Sequence, residues 1–238
     1  MARRRLSRPA VLAVALALAG SDGAAAVLAL PAAVPPRDRA VLEAIAARAD
    51  VATRVAGEPF VARRQVFEYL LDHPDFASHV ARALRLGRYR ITRTPAGLHL
   101  DDGWGATGHF WVVYAADGTR VMHARGQYRK APLPPIRGEA VTVIEYATQP
   151  AAEGRSLVHT TVAGFVALDN RLLAGVLRLA SAATQRKADR EAQRLVKVFA
   201  RASRAIEADP GAVLARLRAD PDVPRRELEE FTRLLTGR

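Results

Sequence analysis

Between residues 89 and 168 the chain alternates apolar and polar residues with a period of two, and no stretch of that length has helical spacing. A run of this kind without helices leaves few architectures open. Strand candidates fall at 89–94, 98–101, 108–115, 119–129, 140–148 and 156–168, separated by clusters of Gly and Pro. Asp117-Gly118, set between two alternating runs, is a strong two-residue hairpin signal, and the other connections are short enough for an antiparallel meander. Pro132, Pro134 and Pro135 mark one longer loop. Val51, Thr53 and Val55 alternate as a further strand upstream, which brings the sheet to about seven strands.

Helical spacing occupies the flanks. Asp38 is placed to cap a lead-in helix with Val41, Leu42 and Ile45 on one face. Val66, Phe67, Leu70 and Leu71 define a second helix that must end near Pro74, and Pro74 opens a third with Phe76, Val80 and Leu84 in line and Gly87 as its stop. After the strands, the spacing predicts a helix over 171–206, about 50 Å long at 1.5 Å per residue. Its apolar face runs through Leu172, Val176, Ala180, Ala183, Ala188, Ala192, Leu195, Phe199 and Ile206, so its middle is lined by alanine. Two shorter helices follow, one carrying Val213, Leu214 and Leu217 and the other Leu228, Phe231, Leu234 and Leu235.

The first 26 residues have a different character. Arg3, Arg4, Arg5 and Arg8 precede an apolar stretch at 10–19, and Ala24-Ala25-Ala26 supplies small residues for cleavage, the three parts of a secretory signal in order. Residues 27–30 resume apolar character and would extend the stretch toward a membrane anchor, but Ser21, Asp22 and Gly23 interrupt it. The expected organisation is a signal peptide at 1–26, a linker and lead-in helix at 27–50, the main domain at 51–208 and a helical extension at 209–238. Export, to the periplasm or the medium, is the expected address. Retention of 27–30 would tether the domain to the membrane.

Composition narrows the chemistry. The chain has no cysteine, which rules out a disulfide framework, a lipidated cysteine and a cysteine zinc site. Its formal charge is +12, and residues 1–26 hold only four arginines and one aspartate of that balance. For an exported protein the acidic counterpart would be an anionic membrane surface, not nucleic acid. His109, His123 and His159 fall on successive strands but without ligand spacing, and there is no GxSxG elbow. The glycines of "DGWGATGHF" precede a strand, where a phosphate loop needs a helix, so they read as a turn or bulge. No metal, cofactor or catalytic residue is assigned.

The element order, with "FEYLLDHPDF" before the sheet and "GFVALDNRLLAGVLRLA" entering the last long helix, resembles the START-like (SRPBCC, helix-grip) superfamily of lipid-transfer proteins, polyketide cyclases and pollen-allergen-like carriers. The resemblance spans about 51–206. It implies an α+β helix-grip fold, a curved antiparallel sheet wrapped on a long C-terminal helix with extra helices behind it, and an elongated cavity for an apolar ligand. It also implies an alternative, a cyclase or dehydratase type of enzyme using Tyr114, Tyr146 or Glu145 for proton transfer.

Parity along the strands gives a candidate lining. Phe110, Val112, Tyr114, Met122, Ala124, Ile144, Tyr146, Val158, Val162 and Gly164 share one face by count, and His109, Arg125, Glu145 and His159 share the other, expected to face solvent. With Val176, Ala180 and Ala183 from the helix, the apolar set other than Gly164 forms the expected ligand-binding residues. Small side chains on both elements fit an open cavity, and they fit close helix-on-sheet packing as well. An exported carrier of a hydrophobic small molecule or lipid, a cavity enzyme and a non-catalytic envelope interaction module with an exposed apolar patch on its C-terminal helices are the three functions this sequence supports.

Overall fold

The computed structural model describes residues 27–116, 118–129, 135–170 and 181–237, with the side chains of 181–188 and 191 outside that description. The expected signal peptide at 1–26 and positions 171–180 of the expected helix therefore lie outside the described residues. In chain order the elements are α1 (Pro36–Ala47), β1 (Val51–Ala56), β2 (Phe60–Ala62), α2 (Arg64–Asp72), α3 (Pro74–Ala83), β3 (Arg90–Thr94), β4 (Gly97–Asp101), β5 (Ala106–Ala116), β6 (Thr119–Tyr128), β7 (Ile136–Pro150), β8 (Ser156–Leu168), α4 (Ser181–Ala208), α5 (Pro210–Arg218) and α6 (Arg225–Thr236).

The strands form one open, antiparallel, eight-stranded sheet in the order β1-β8-β7-β6-β5-β4-β3. The eighth strand, β2, is not visible in the alternation because it has three residues. It pairs with β8 on the same edge as β1, and the two are one edge strand interrupted at residues 57–59. The interruption has a steric cause. A Cβ at Gly57 would lie 1.9 Å from Val196 Cγ1 of α4 and 2.7 Å from Thr160 Oγ1, so only glycine passes beneath the helix there. Ala116 and Thr119, which flank the Asp117-Gly118 signal, are paired, as are Thr94 and Gly97 at the equally short β3–β4 connection.

Both faces of the central strands are buried, against the expectation of a solvated second face. Leu42 and Ile45 of α1, together with Val34, cover Val121, Val141, Val143, Ala163 and Phe165. The near-continuous apolar runs of β7 and β8 are what a strand buried on both sides requires. Val41 departs from its expected place on the inner face of α1 and is exposed. Asp38 lies inside the first turn, where it favours the helix dipole, and Pro35 occupies the cap position.

On the other face α4 packs across β1, β2 and β8, burying Val196 and Ala200 against Phe60, Phe67, Val158 and Val162. A separate core joins α2 and α3 to α5 and α6, with Phe76, Leu217 and Phe231 fully buried at its centre. Helix α3 stops before Gly87. Arg85 takes the left-handed conformation at φ 58°, with its N–H bonded to Arg82 O at 2.9 Å and the Leu86 N–H bonded to Ala81 O at 2.8 Å, a Schellman closure without glycine. An exposed arginine in that conformation carries a cost that glycine avoids. Arg85→Gly is therefore expected to stabilise the protein by roughly 0.5–1 kcal/mol in urea denaturation, and a loss of stability would contradict the assigned closure.

Candidate ligand cavity

Antiparallel pairing sorts the inner face of the sheet into rows that cross the strands. Gly108, Gly126 and Gly138 stand opposite one another on β5, β6 and β7, flanked by Leu100 and Leu168. The next row is Phe110, Ala124, Ala140 and Val166, followed by Val112, Met122, Thr142 and Gly164. Five of the six β5–β7 positions in the first two rows are Gly or Ala. Any Cβ on the three glycines would come within 3 Å of neighbouring backbone, so the strands approach too closely there for a larger residue.

Above these rows lies a cavity of about 160 Å³. Its floor is the glycine and alanine rows with Phe110, Met122, Thr142 and Ile144. Leu195 and Phe199 of α4 form the roof, Tyr89, Ile91 and Leu100 one side, and Leu70, Leu71, Pro74 and Ala77 from the α2–α3 junction the other. The lining is almost wholly apolar. A space of this size between aliphatic and aromatic groups is comparable to cavities that stay dry and take up small apolar molecules.

The expected lining residues divide. Phe110, Met122, Ala124 and Ile144 line the cavity. Tyr146, Val158 and Val162 share that face but pack against Phe60, Phe67 and Val196, in a filled part of the core. Val112 is on the inner face, yet a third exposed. Val176 and Ala180 lie outside the described residues, as does the side chain of Ala183.

Tyr114 is corrected outright: a bulge between Val112 and Tyr114 shifts the register, pairing Tyr114 with Val121 on the α1 face. Glu145 is also on that opposite face, paired with Arg54. Of the three groups nominated for proton transfer, only Tyr146 is on the inner face.

The α2–α3 wall and the glycine row escape a reading of the sequence. Leu70, Leu71 and Pro74 are visible as helix residues but not as lining, because no local pattern tells which sheet row a helix junction will cover. Gly108, Gly126 and Gly138 carry a readable signal, since each interrupts an otherwise good strand.

Ionic contacts pin the α2–α3 wall to the sheet on both sides of Pro74. Arg120 of β6 donates from Nε and Nη2 to the two carboxylate oxygens of Asp72, at 2.6 and 3.1 Å, and from Nη1 to Thr119 O at 3.1 Å. Arg93 of β3 grips Asp75 in the same two-pronged way, at 3.1 and 3.1 Å. Burial works against the charge on Arg120, but Asp72 more than offsets it, and the guanidinium is held above the ordinary arginine value. Next to it the Tyr146 hydroxyl donates to Glu68 at 2.8 Å; burial and that bond raise the phenol above its usual pKa.

The strand histidines His109, His123 and His159 occupy the opposite face, as parity placed them. His109 is paired with Arg125, and His123 stands 3.5 Å from Glu139, its pKa lowered by burial despite that carboxylate. Among the described residues no three His, Asp or Glu side chains gather as metal ligands would. The glycine-rich loop is a turn: Asp102 accepts from Trp104 N at 2.7 Å and Ala106 N at 2.9 Å, with Gly103 and Gly105 at positive φ. Trp104 and Trp111 are each about a third exposed, the first beneath Arg88 and the second against His123.

No family model matches the chain, and no curated protein matches it. Among solved structures, the hypothetical protein jhp0584 from Helicobacter pylori is similar over 77% of this chain and 99% of its own, at 10% identity and a TM-score of 0.41. TTHA0849 from Thermus thermophilus covers 65% of this chain and 97% of its own, at 10% identity and a TM-score of 0.33. Truncated norcoclaurine synthase from Thalictrum flavum covers 60% and 92%, at 9% identity and a TM-score of 0.30. At these identities and scores the likenesses assign neither family nor activity.

Tyr89, in the cavity wall, is buried and its phenol is pushed up to about 12 by loss of solvent. Because the folded-state value is raised, the neutral phenol favours folding below pH 10, and this contribution disappears as pH rises from about 10 to 12. Denaturation measured across that window should show stability falling with pH less steeply in Tyr89→Phe than in the parent chain. Identical slopes would place Tyr89 in solvent.

Proposed function

We propose that this chain is an exported, non-catalytic binding protein that holds an apolar ligand, a hydrophobic small molecule or a lipid chain, between the inner face of its sheet and helix α4. The observation that carries this reading is the juxtaposition of two Gly/Ala rows with an apolar cavity. Ordinary core packing would fill the space above β5–β7 with Leu, Ile or Val, and each methylene left out forfeits about 0.8 kcal/mol of burial. A binding site is a reason to leave that energy unclaimed.

The helix-grip arrangement belongs to the same reading, with α4 as the gripped helix and the sheet of β3–β8 as the grip. So do the exported address and contact with an anionic membrane surface, which rest on the arginine-led N-terminus and the +12 charge. Among the described residues no helix is long and apolar enough to cross a membrane.

Two measurements bear on this directly. Native mass spectrometry of the exported protein, with extraction into organic solvent, should reveal a copurifying apolar molecule. In Ala124→Leu, which fills the floor beneath Leu195, that molecule should be lost while stability rises by roughly 1–2 kcal/mol. An empty parent protein with no affinity for long-chain alcohols, or an Ala124→Leu variant that is strongly destabilised, would sink the carrier reading, the second because it would mean the space is already filled.

A further inference from the structure

Arg120 is the only arginine buried among the described residues, and its place relative to the cavity is specific. It lies on the inner face of β6, directly opposite Ile144 and two residues from Met122, both of which line the cavity. Its counter-ion Asp72 follows Leu71, another lining residue, so the guanidinium and the carboxylate meet just behind the lining, beside Leu71 and Ile144. The two partners are unequal. The Arg120 side chain is 6% exposed, whereas that of Asp72 is 43% exposed. Asp72 is also the last residue of α2, where the partial negative charge of the helix C-terminus repels a carboxylate. Arg120 is fixed and dry, whereas Asp72 already stands partly in water.

Deepening the carrier reading, on which this rests, we propose that the ligand is an apolar chain ending in a carboxylate, and that its carboxylate takes the place of Asp72 on Arg120. The fork of Nε and Nη2 already holds one carboxylate in two-pronged fashion, so another of the same geometry fits without rearranging β6. The exchange conserves charge around the buried guanidinium, which is never left without a counter-ion. The apolar tail then runs along the Ala and Gly rows beneath Leu195 and Phe199, and the Arg93–Asp75 pair keeps the far side of the α2–α3 junction closed.

The test compares octanoic acid with octan-1-ol, which share a tail and differ in head, by calorimetric titration of the full exported chain at pH 7. The acid should bind at least about tenfold more tightly, the lower end of what charge-assisted hydrogen bonds supply. Asp72→Asn should raise the ratio of acid to alcohol affinity several-fold, because it removes the competing carboxylate, while any loosening of the α2–α3 wall acts on the tail that both probes share. Arg120→Gln should bring the two affinities together. A purely structural ion pair predicts something different: Asp72→Asn weakens both probes alike. That outcome, or equal binding of acid and alcohol to the parent chain, overturns the headgroup assignment while the carrier reading stands. Binding of neither probe overturns both.

Discussion

Across β5, β6, β7 and β8 the antiparallel register stacks residues into rows, and the size of the side chains in each row sets what the opposite layer is able to do. Rows of Gly and Ala at one end of the inner face stop short of α4 and the α2–α3 junction and leave a cavity. The rows toward β1 and β2, with Val55, Val158 and Val162 under Phe60, Phe67 and Val196, close on the helix and leave none. On the outer face Val121, Val141, Val143 and Phe165 carry α1. A slip of one residue in any central strand would exchange the two faces, placing His123 and Glu139 in the cavity and Ala124 and Ala140 under α1.

The wall of the cavity opposite β3 and β4 depends on elements outside the sheet. Helices α2 and α3 present Leu70, Leu71, Pro74 and Ala77 inward, and their other sides are fixed by the C-terminal helices. Tyr69 packs on Phe76 and Phe231 and donates its hydroxyl to Glu227 O at 3.0 Å, and Arg63 donates to Leu235 O at 2.7 Å. A second core of this size, with Phe76 and Phe231 fully buried, makes α5 and α6 the backing of the cavity wall. Their apolar faces are turned onto α2 and α3, which runs against the exposed patch an interaction module would need on them.

The alternation from 89 to 168 is enough to place six strands and their antiparallel order, because a half-buried strand announces its own period and a short connection its own partner. Counting by twos fails wherever the backbone inserts a residue. The bulge after Val112 carries no composition signal in a run of Trp, Val, Val and Tyr, and it moves Tyr114 to the α1 face. Burial of the outer face is half legible: "AVTVI" and "VAGFVAL" have too few polar residues for one solvated side, but nothing local says that α1 is what covers them. The Arg120–Asp72 and Arg93–Asp75 pairs are illegible, since each joins residues far apart in sequence whose meeting depends on how the α2–α3 junction lands on the sheet.

All of this turns on whether the space above Ala124 and Ala140 is open and apolar in the folded protein. Xenon occupies dry apolar cavities of this volume and avoids filled or hydrated ones, so a crystal of the protein put under xenon pressure examines the space without presuming a ligand. Xenon density between Ala124 and Leu195, above the row of Gly108, Gly126 and Gly138, is the predicted result. Side chains or ordered water in that position, with no xenon bound, would contradict it.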